Sequence, residues 1–356
     1  MFELTKYLNL GIMFEAFFII LFFTLAIYLW NFLLVKFTLR SFNQIQNISI
    51  HDSKNPRLGG IILISSLFLW DYFKNNNISE VFLIYVIPIS IPLIFIGVIE
   101  DIIVQVKPII RLFFLSISVV IFLLTNPWGF PEIEITIFNN FLNYPIIKYI
   151  IFYFAILTVT NGFNLIDGAN GLASAAALSS LGCILYLSYL FNHSFIFAAA
   201  LILCAFIIIF LLFNFPFGII FLGDTGAYFL GFYISVLTII LFAIETRLNT
   251  WGAGIILFYP CFEVAFSFFR KLKKNISPTV PDSEHLHLLI FWILQKNKPK
   301  SRSANCLVMP FLSIIWASPL LFTIVASNNL ILIWILFLLQ VLIYLFLYSF
   351  VKRIQE

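Results

Sequence analysis

The chain has 356 residues, 62% of them hydrophobic and only 10% charged, with a mean hydropathy of +1.07. This excludes a water-soluble domain, because the charges are confined to short gaps between apolar runs of roughly bilayer-spanning length. The formal net charge of +4 follows from the sidedness of those gaps and calls for no nucleic-acid partner.

In chain order, candidate spans lie near 12–35, 58–73, 81–99, 109–125, 146–160, 172–190, 195–213, 225–244, 251–269, 306–326 and 330–351. Lys and Arg accumulate on the cytoplasmic side of membrane proteins. Alternate gaps hold 16 of the 20 basic residues, and the opposite set holds only Lys6, Lys74, Lys148 and Arg247. The expectation is an all-α integral membrane protein, one polytopic bundle of about 11 transmembrane helices over residues 1–356. Its N-terminus lies outside and its C-terminus in the cytoplasm. The first span is too long for a signal-peptide core and has no small-residue cleavage site, so it is read as retained. Cys183, Cys204, Cys261 and Cys306 show no CxxC spacing, which argues against a disulfide framework or a thiolate metal site.

Polar groups in the gaps carry the chemistry. The first cytoplasmic gap ends in Lys54-Asn55-Pro56-Arg57-Leu58-Gly59-Gly60. Pro56 stops a helix before it, and the glycine pair lets the next span start close to a neighbour or ligand. Arg57 is either a positive-inside anchor or a phosphate contact. The third span runs into Glu100-Asp101, adjacent carboxylates that oppose each other and the helix dipole. Lys107, Arg111 or a divalent ion would offset them. In the outward gap Asn126–Tyr144, the alternation around residues 132–137 predicts a short strand.

Asn161, Asn164, Asp167 and Asn170 then recur at every third position, near one helical face, with Gly168 and Gly171 beside them. A carboxylate there costs ~2.5–3.5 kcal/mol if it faces lipid, so it should face a polar cavity. Asp224 stands in Leu222-Gly223-Asp224-Thr225-Gly226, as a helix cap or as a phosphate or metal site. Glu263 lies seven residues before Arg270 and is read as its salt-bridge partner, outside the site. The largest cytoplasmic loop, 270–305, contains His285-Leu286-His287, two imidazoles that can converge from an irregular segment.

All these groups fall on one membrane face. Carboxylates with Asn carbonyls suit a hard cation such as Mg²⁺ that is shared with substrate phosphates. Basic and imidazole donors suit the phosphates themselves.

Glu100-Asp101 with Lys107, the Asn161–Gly171 stretch, Gly223-Asp224 and Asp282 with His285-x-His287 together resemble the polyprenyl-phosphate N-acetylhexosamine-1-phosphate transferases of glycosyltransferase family 4. The motifs occur in the family's order over nearly the whole chain, and Lys54–Gly60 looks like its early Pro-Arg-x-Gly-Gly segment. The resemblance implies transfer of a sugar 1-phosphate from a UDP-N-acetylhexosamine to polyprenyl phosphate, in the cytoplasmic (inner) membrane, with UMP released. It implies Asp224 and Asp101 at Mg²⁺ and the reacting phosphates, with Glu100 beside Asp101. Asp167, Asn161 and Asn164 would line the nucleotide and metal pocket. His285 and His287 would face the diphosphate or sugar, with Arg57 and Lys107 as further substrate contacts. Mn²⁺ in place of Mg²⁺ and a homodimer stay open.

Three positions depart from the family pattern: Glu100 for Asp, Asn170 for Asp and Leu288 for His. A muramoyl-pentapeptide-phosphate transferase of the same superfamily is the nearest alternative. An ion-coupled transporter using Asp167 and Asp224 is the alternative from another class.

Overall fold

The computed structural model describes residues 57–74, 80–103, 106–133, 144–277, 280, 282–297, 301–320 and 329–355, with Leu21. The first expected span, 12–35, otherwise lies outside the described residues, as do Lys54 and residues 134–137 of the expected strand. Glu132 and Ile133 run in irregular chain.

The described helices are α1 (Gly59–Lys74), α2 (Glu80–Ile103), α3 (Pro108–Thr125), α4 (Pro145–Ile166), α5 (Leu172–Leu190), α6 (Ser194–Asn214), α7 (Gly223–Ile244), α8 (Gly252–Ile256), α9 (Phe258–Lys273), α10 (Leu286–Asn297), α11 (Ser301–Phe311), α12 (Ser313–Trp316) and α13 (Leu330–Gln355). Among the described residues, α2 to α7 and α13 are long and apolar enough to cross a membrane. The chain is therefore a multi-pass membrane protein.

Helix α7 is the axis. Nearly every residue from Gly223 to Phe242 is buried, against α2, α4, α1 and α5. A helix apolar all round is what a bundle centre requires. Small residues permit the tight crossings, as is usual between membrane helices. A Cβ added to Gly60 would lie 2.1 Å from the Gly226 backbone nitrogen, and one on Gly97 would lie 2.5 Å from the Thr225 Cα. Both approaches fall in the first turn of α7, so α1 and α2 are pressed against the end that carries Asp224.

The expected span 251–269 is two helices, α8 and α9, divided at Leu257. Pro260 has no N–H to return to the carbonyl of Ile256. That carbonyl instead accepts a 2.8 Å hydrogen bond from the Ser180 hydroxyl of α5. The expected span 306–326 is likewise divided into α11, which contains Pro310, and α12, while 321–328 lies outside the described residues.

Candidate active site

The site forms where the first turn of α7 meets the ends of α2 and α4. The opening N–H groups of a helix have no intrahelical acceptors and carry the positive end of its dipole. In α7 they are taken by carboxylates from elsewhere in the chain. Asp101, at the end of α2, accepts from Asp224 N–H at 2.8 Å, Thr225 N–H at 3.1 Å and the Thr225 hydroxyl at 2.6 Å. Asp167, in the turn after α4, lies near enough to this end for the Gly223 backbone N–H to favour its ionised form. Gly223 has φ +76°, and an added Cβ there would lie 2.6 Å from Asp101 Oδ1. Only glycine lets this backbone turn beneath two carboxylates.

Asp224 follows, and its Oδ1 accepts a short hydrogen bond from the Asn164 side-chain amide. Asn161 lies one turn earlier on α4, partly exposed. Burial first, then the nearby charges of Asp224 and Asp101, push the Asp167 carboxyl well above the ordinary carboxylate range. Arg57 pulls the other way. It reaches this region because Gly59 and Gly60 donate backbone hydrogen bonds to the carbonyls of Phe221 and Leu222, at 2.9 and 2.7 Å. Gly59 and Gly60 thus dock beside the Gly-Asp-Thr-Gly segment.

Glu100 turns into the bundle. It accepts from the Tyr228 hydroxyl at 2.7 Å and pairs with Arg111 at 3.5 Å. Of the two cations expected to offset Glu100-Asp101, Arg111 does so in the structure. Lys107 stands exposed at the start of α3.

The histidines arrive from the loop before α10. Their rings stack at 5.7 Å with an 8° interplanar angle. His287 is seated on the Asp167 turn: a Cβ added to Gly168 would lie 2.1 Å from its Nε2. His285 Nδ1 lies 2.9 Å from Glu263 Oε1.

Sequence reasoning left Glu263 outside the site as the partner of Arg270. In the structure Arg270 pairs with Asp282 and, at 3.4 Å, Glu284, while Glu263 holds His285. The signal was present, since a single acid inside an apolar run marks a functional site by default. Thr225 and Tyr228, which anchor Asp101 and Glu100, carried no such signal.

The departures from the family pattern have local reasons in two cases. Asn170 is 3% exposed and donates its amide to the carbonyl of Pro216 at 3.3 Å. An Asp there could not donate. Leu288 is buried in the hydrophobic core.

A hard cation fits this donor set. Asp101 has three donors on its two oxygens, whereas Asp224 accepts from Asn164 and is partly exposed. Among the described residues, no three His, Cys, Asp or Glu converge as a closed metal cage. Mg²⁺ does not need one: it is usually held by one or two carboxylates, waters and substrate phosphates.

A sequence profile of glycosyl transferase family 4 matches residues 82–242, which include α3 to α6, α7 as far as Phe242 and every acidic group of this cluster. Over those residues, somewhat less than half of its length, the chain is similar to glycosyl transferase family 4. The chain is 24% identical over 249 residues to a probable undecaprenyl-phosphate N-acetylglucosaminyl 1-phosphate transferase of Bacillus subtilis, covering 69% of this chain and 68% of that one. It is 27% identical over 241 residues to the undecaprenyl-phosphate alpha-N-acetylglucosaminyl 1-phosphate transferase of Thermotoga maritima, covering 67% and 68%. The Escherichia coli K12 protein of the same description is 25% identical over 154 residues, 40% of each chain.

Proposed function

We propose that this chain transfers an N-acetylhexosamine 1-phosphate from a UDP-sugar to polyprenyl phosphate, at the cytoplasmic face of the membrane. The product would begin a cell-surface glycan or wall polymer. The observation that carries the reading is the cluster at the first turn of α7, where Asp101, Asp167 and Asp224 meet Asn164 while the histidine pair closes over Gly168.

In the reaction, an oxygen of the lipid phosphate attacks the β-phosphorus of the UDP-sugar. The bond from that phosphorus to the bridging oxygen breaks, and UMP departs with the bridging oxygen. A phosphate monoester has its second pKa near 6, so the attacking phosphate is already largely dianionic at neutral pH. The work left to the protein is positioning and charge neutralisation. Asp224 would hold Mg²⁺, with Asp101 fixing the backbone beneath it. Bound there, Mg²⁺ would supply positive charge to the diphosphate. Arg57, His285 and His287 would contact phosphate oxygens, Asn161 and Asn164 would line the nucleotide pocket, and exposed Lys107 would meet the incoming lipid phosphate. Glu100, tied to Arg111 and Tyr228, would brace Asp101 and perform no covalent step.

The test is a panel of UDP-N-acetylhexosamines labelled in the sugar, given to purified protein with undecaprenyl phosphate. Label appearing in the lipid phase for one donor, with stoichiometric UMP, is expected and names the sugar. Labelled sugar phosphate trapped on Glu100 or Asp101 would replace direct attack with a covalent route.

A further inference from the structure

Glu263 is a carboxylate with no solvent exposure in the interior of α9, and its hydrogen bonds run to the histidine loop and to α13. Oε1 faces His285 Nδ1 at 2.9 Å and accepts from the Leu286 backbone N–H at 3.3 Å, where α10 begins. Oε2 accepts from the Tyr344 hydroxyl of α13 at 2.7 Å. A buried carboxylate facing an imidazole nitrogen dictates that this nitrogen carries the proton. His285 Nδ1 is therefore the donor, and the ring's other nitrogen, Nε2, has no partner among the described residues.

The consequence runs on through stacking. His285 lies parallel to His287, and His287 abuts Gly168 beside Asp167. The carboxylate thus fixes one ring, that ring fixes the next, and the second ring rests on the acidic turn. Elsewhere the loop is held by Arg270 to Asp282 and by Lys274 to Glu284 at 2.6 Å. Those pairs tether the loop, but only Glu263 reaches an imidazole.

We propose that Glu263, braced by Tyr344, is a positioning residue for the transfer reaction. It holds the His285 Nδ1–H on its own carboxylate, so that the His285 ring and the His287 ring stacked on it keep a fixed place beside the acidic turn where the diphosphate would bind. This rests on the sugar-1-phosphate transfer reading for its chemistry, and on the geometry alone for the protonation state.

Two measurements separate those foundations. The first is a double-mutant cycle on lipid-dependent UMP release with Glu263→Gln, His285→Asn and the pair. Glutamine keeps the volume and an acceptor, so the fold should persist while the charge is lost. The expected result is a kcat/KM lower by about 10- to 100-fold in Glu263→Gln, the range for removing the outer partner of a functional histidine. In the His285→Asn background the same change should have almost no further effect. A full additional loss there would assign Glu263 a purely structural role and overturn the proposal, as would an unchanged Glu263→Gln rate.

The second measurement is ¹⁵N-histidine NMR of the membrane-embedded protein, which has four histidines to resolve. The resonance lost in His285→Asn should report a protonated Nδ1, and it should shift in Glu263→Gln. An unprotonated Nδ1, or no shift, would overturn the positioning role whether or not the protein is active. Absence of UMP release from wild-type protein would instead count against the transferase reading.

Discussion

The two ends of α7 treat acidic side chains in opposite ways. Beyond Ile244, Glu245 is 4% exposed and accepts from Arg247 Nε and Nη2, each at 2.6 Å. His193 Nε2 lies 3.0 Å away, and the Arg247 guanidinium sits 4.4 Å over the Phe191 ring. The hydrogen bonds from Arg247 hold the Glu245 carboxyl down at about 2. At the Gly223 end, burial and the charges of Asp224 and Asp101 push Asp167 up, and Arg57 opposes that shift. One end is neutralised by the chain itself. The other gathers Asp101, Asp167 and Asp224 close enough for their charges to oppose one another, an arrangement that suits the proposed cation and diphosphate.

Substitutions at the two ends should therefore behave differently. The largest effect is expected for Asp224→Asn: lipid-dependent UMP release should fall by about 10³-fold, comparable to losing a preorganised electrostatic contact in a transition state. Thermal unfolding in detergent should stay level or move upward, because like-charge repulsion is relieved. Next is Gly168→Ala, whose methyl would displace the His287 ring. A shift of about 1 Å at a reacting centre can cost about 10²-fold, so kcat/KM should drop by that order with little change in melting temperature.

Gly60→Ala should act on stability instead, since its Cβ meets backbone and not a movable side chain. Overpacking of that kind costs about 1–3 kcal/mol, measurable as a lower melting temperature.

The smallest effects are those of pH. Glu245 is lowered, so its contribution is present above its ordinary value of 4.5 and is lost as pH falls towards about 2. Glu245→Gln should flatten the stability profile in that window and leave UMP release unchanged. Asp167 is raised, so the sign reverses: its ionisation costs stability as pH rises through the elevated value. Melting curves in EDTA should fall on that side, and added Mg²⁺ should restore them. Equal curves with and without Mg²⁺ would count against a cation at this end.

Much of this contrast was legible in the sequence. Apolar runs of spanning length gave most of the described membrane helices, because hydropathy is a local property. Asp101, Asp167, Asp224, Asn164, His285 and His287 stood out as polar groups bounded by apolar chain, and they meet in space. Where prolines interrupted an apolar run, composition still read as one span. Pro260 and Pro310 separate helices that hydropathy joins. Partners set by three-dimensional packing were not legible at all. Seven-residue spacing suggested Glu263 with Arg270, yet the fold brings Glu263 to His285 and gives Arg270 to Asp282. Nor could the sequence say that Asp101 would be engaged by the first turn of α7, a contact across 123 residues that leaves Asp224 as the more open carboxylate.

The most direct test of the central claim is a Mg²⁺ titration of lipid-dependent UMP release, with wild-type and Asp224→Asn protein side by side. The account predicts no release in EDTA, saturable recovery with Mg²⁺ for the wild type, and no recovery for Asp224→Asn at any concentration that saturates the wild type. Undiminished release in EDTA, or a wild-type response from Asp224→Asn, would contradict it.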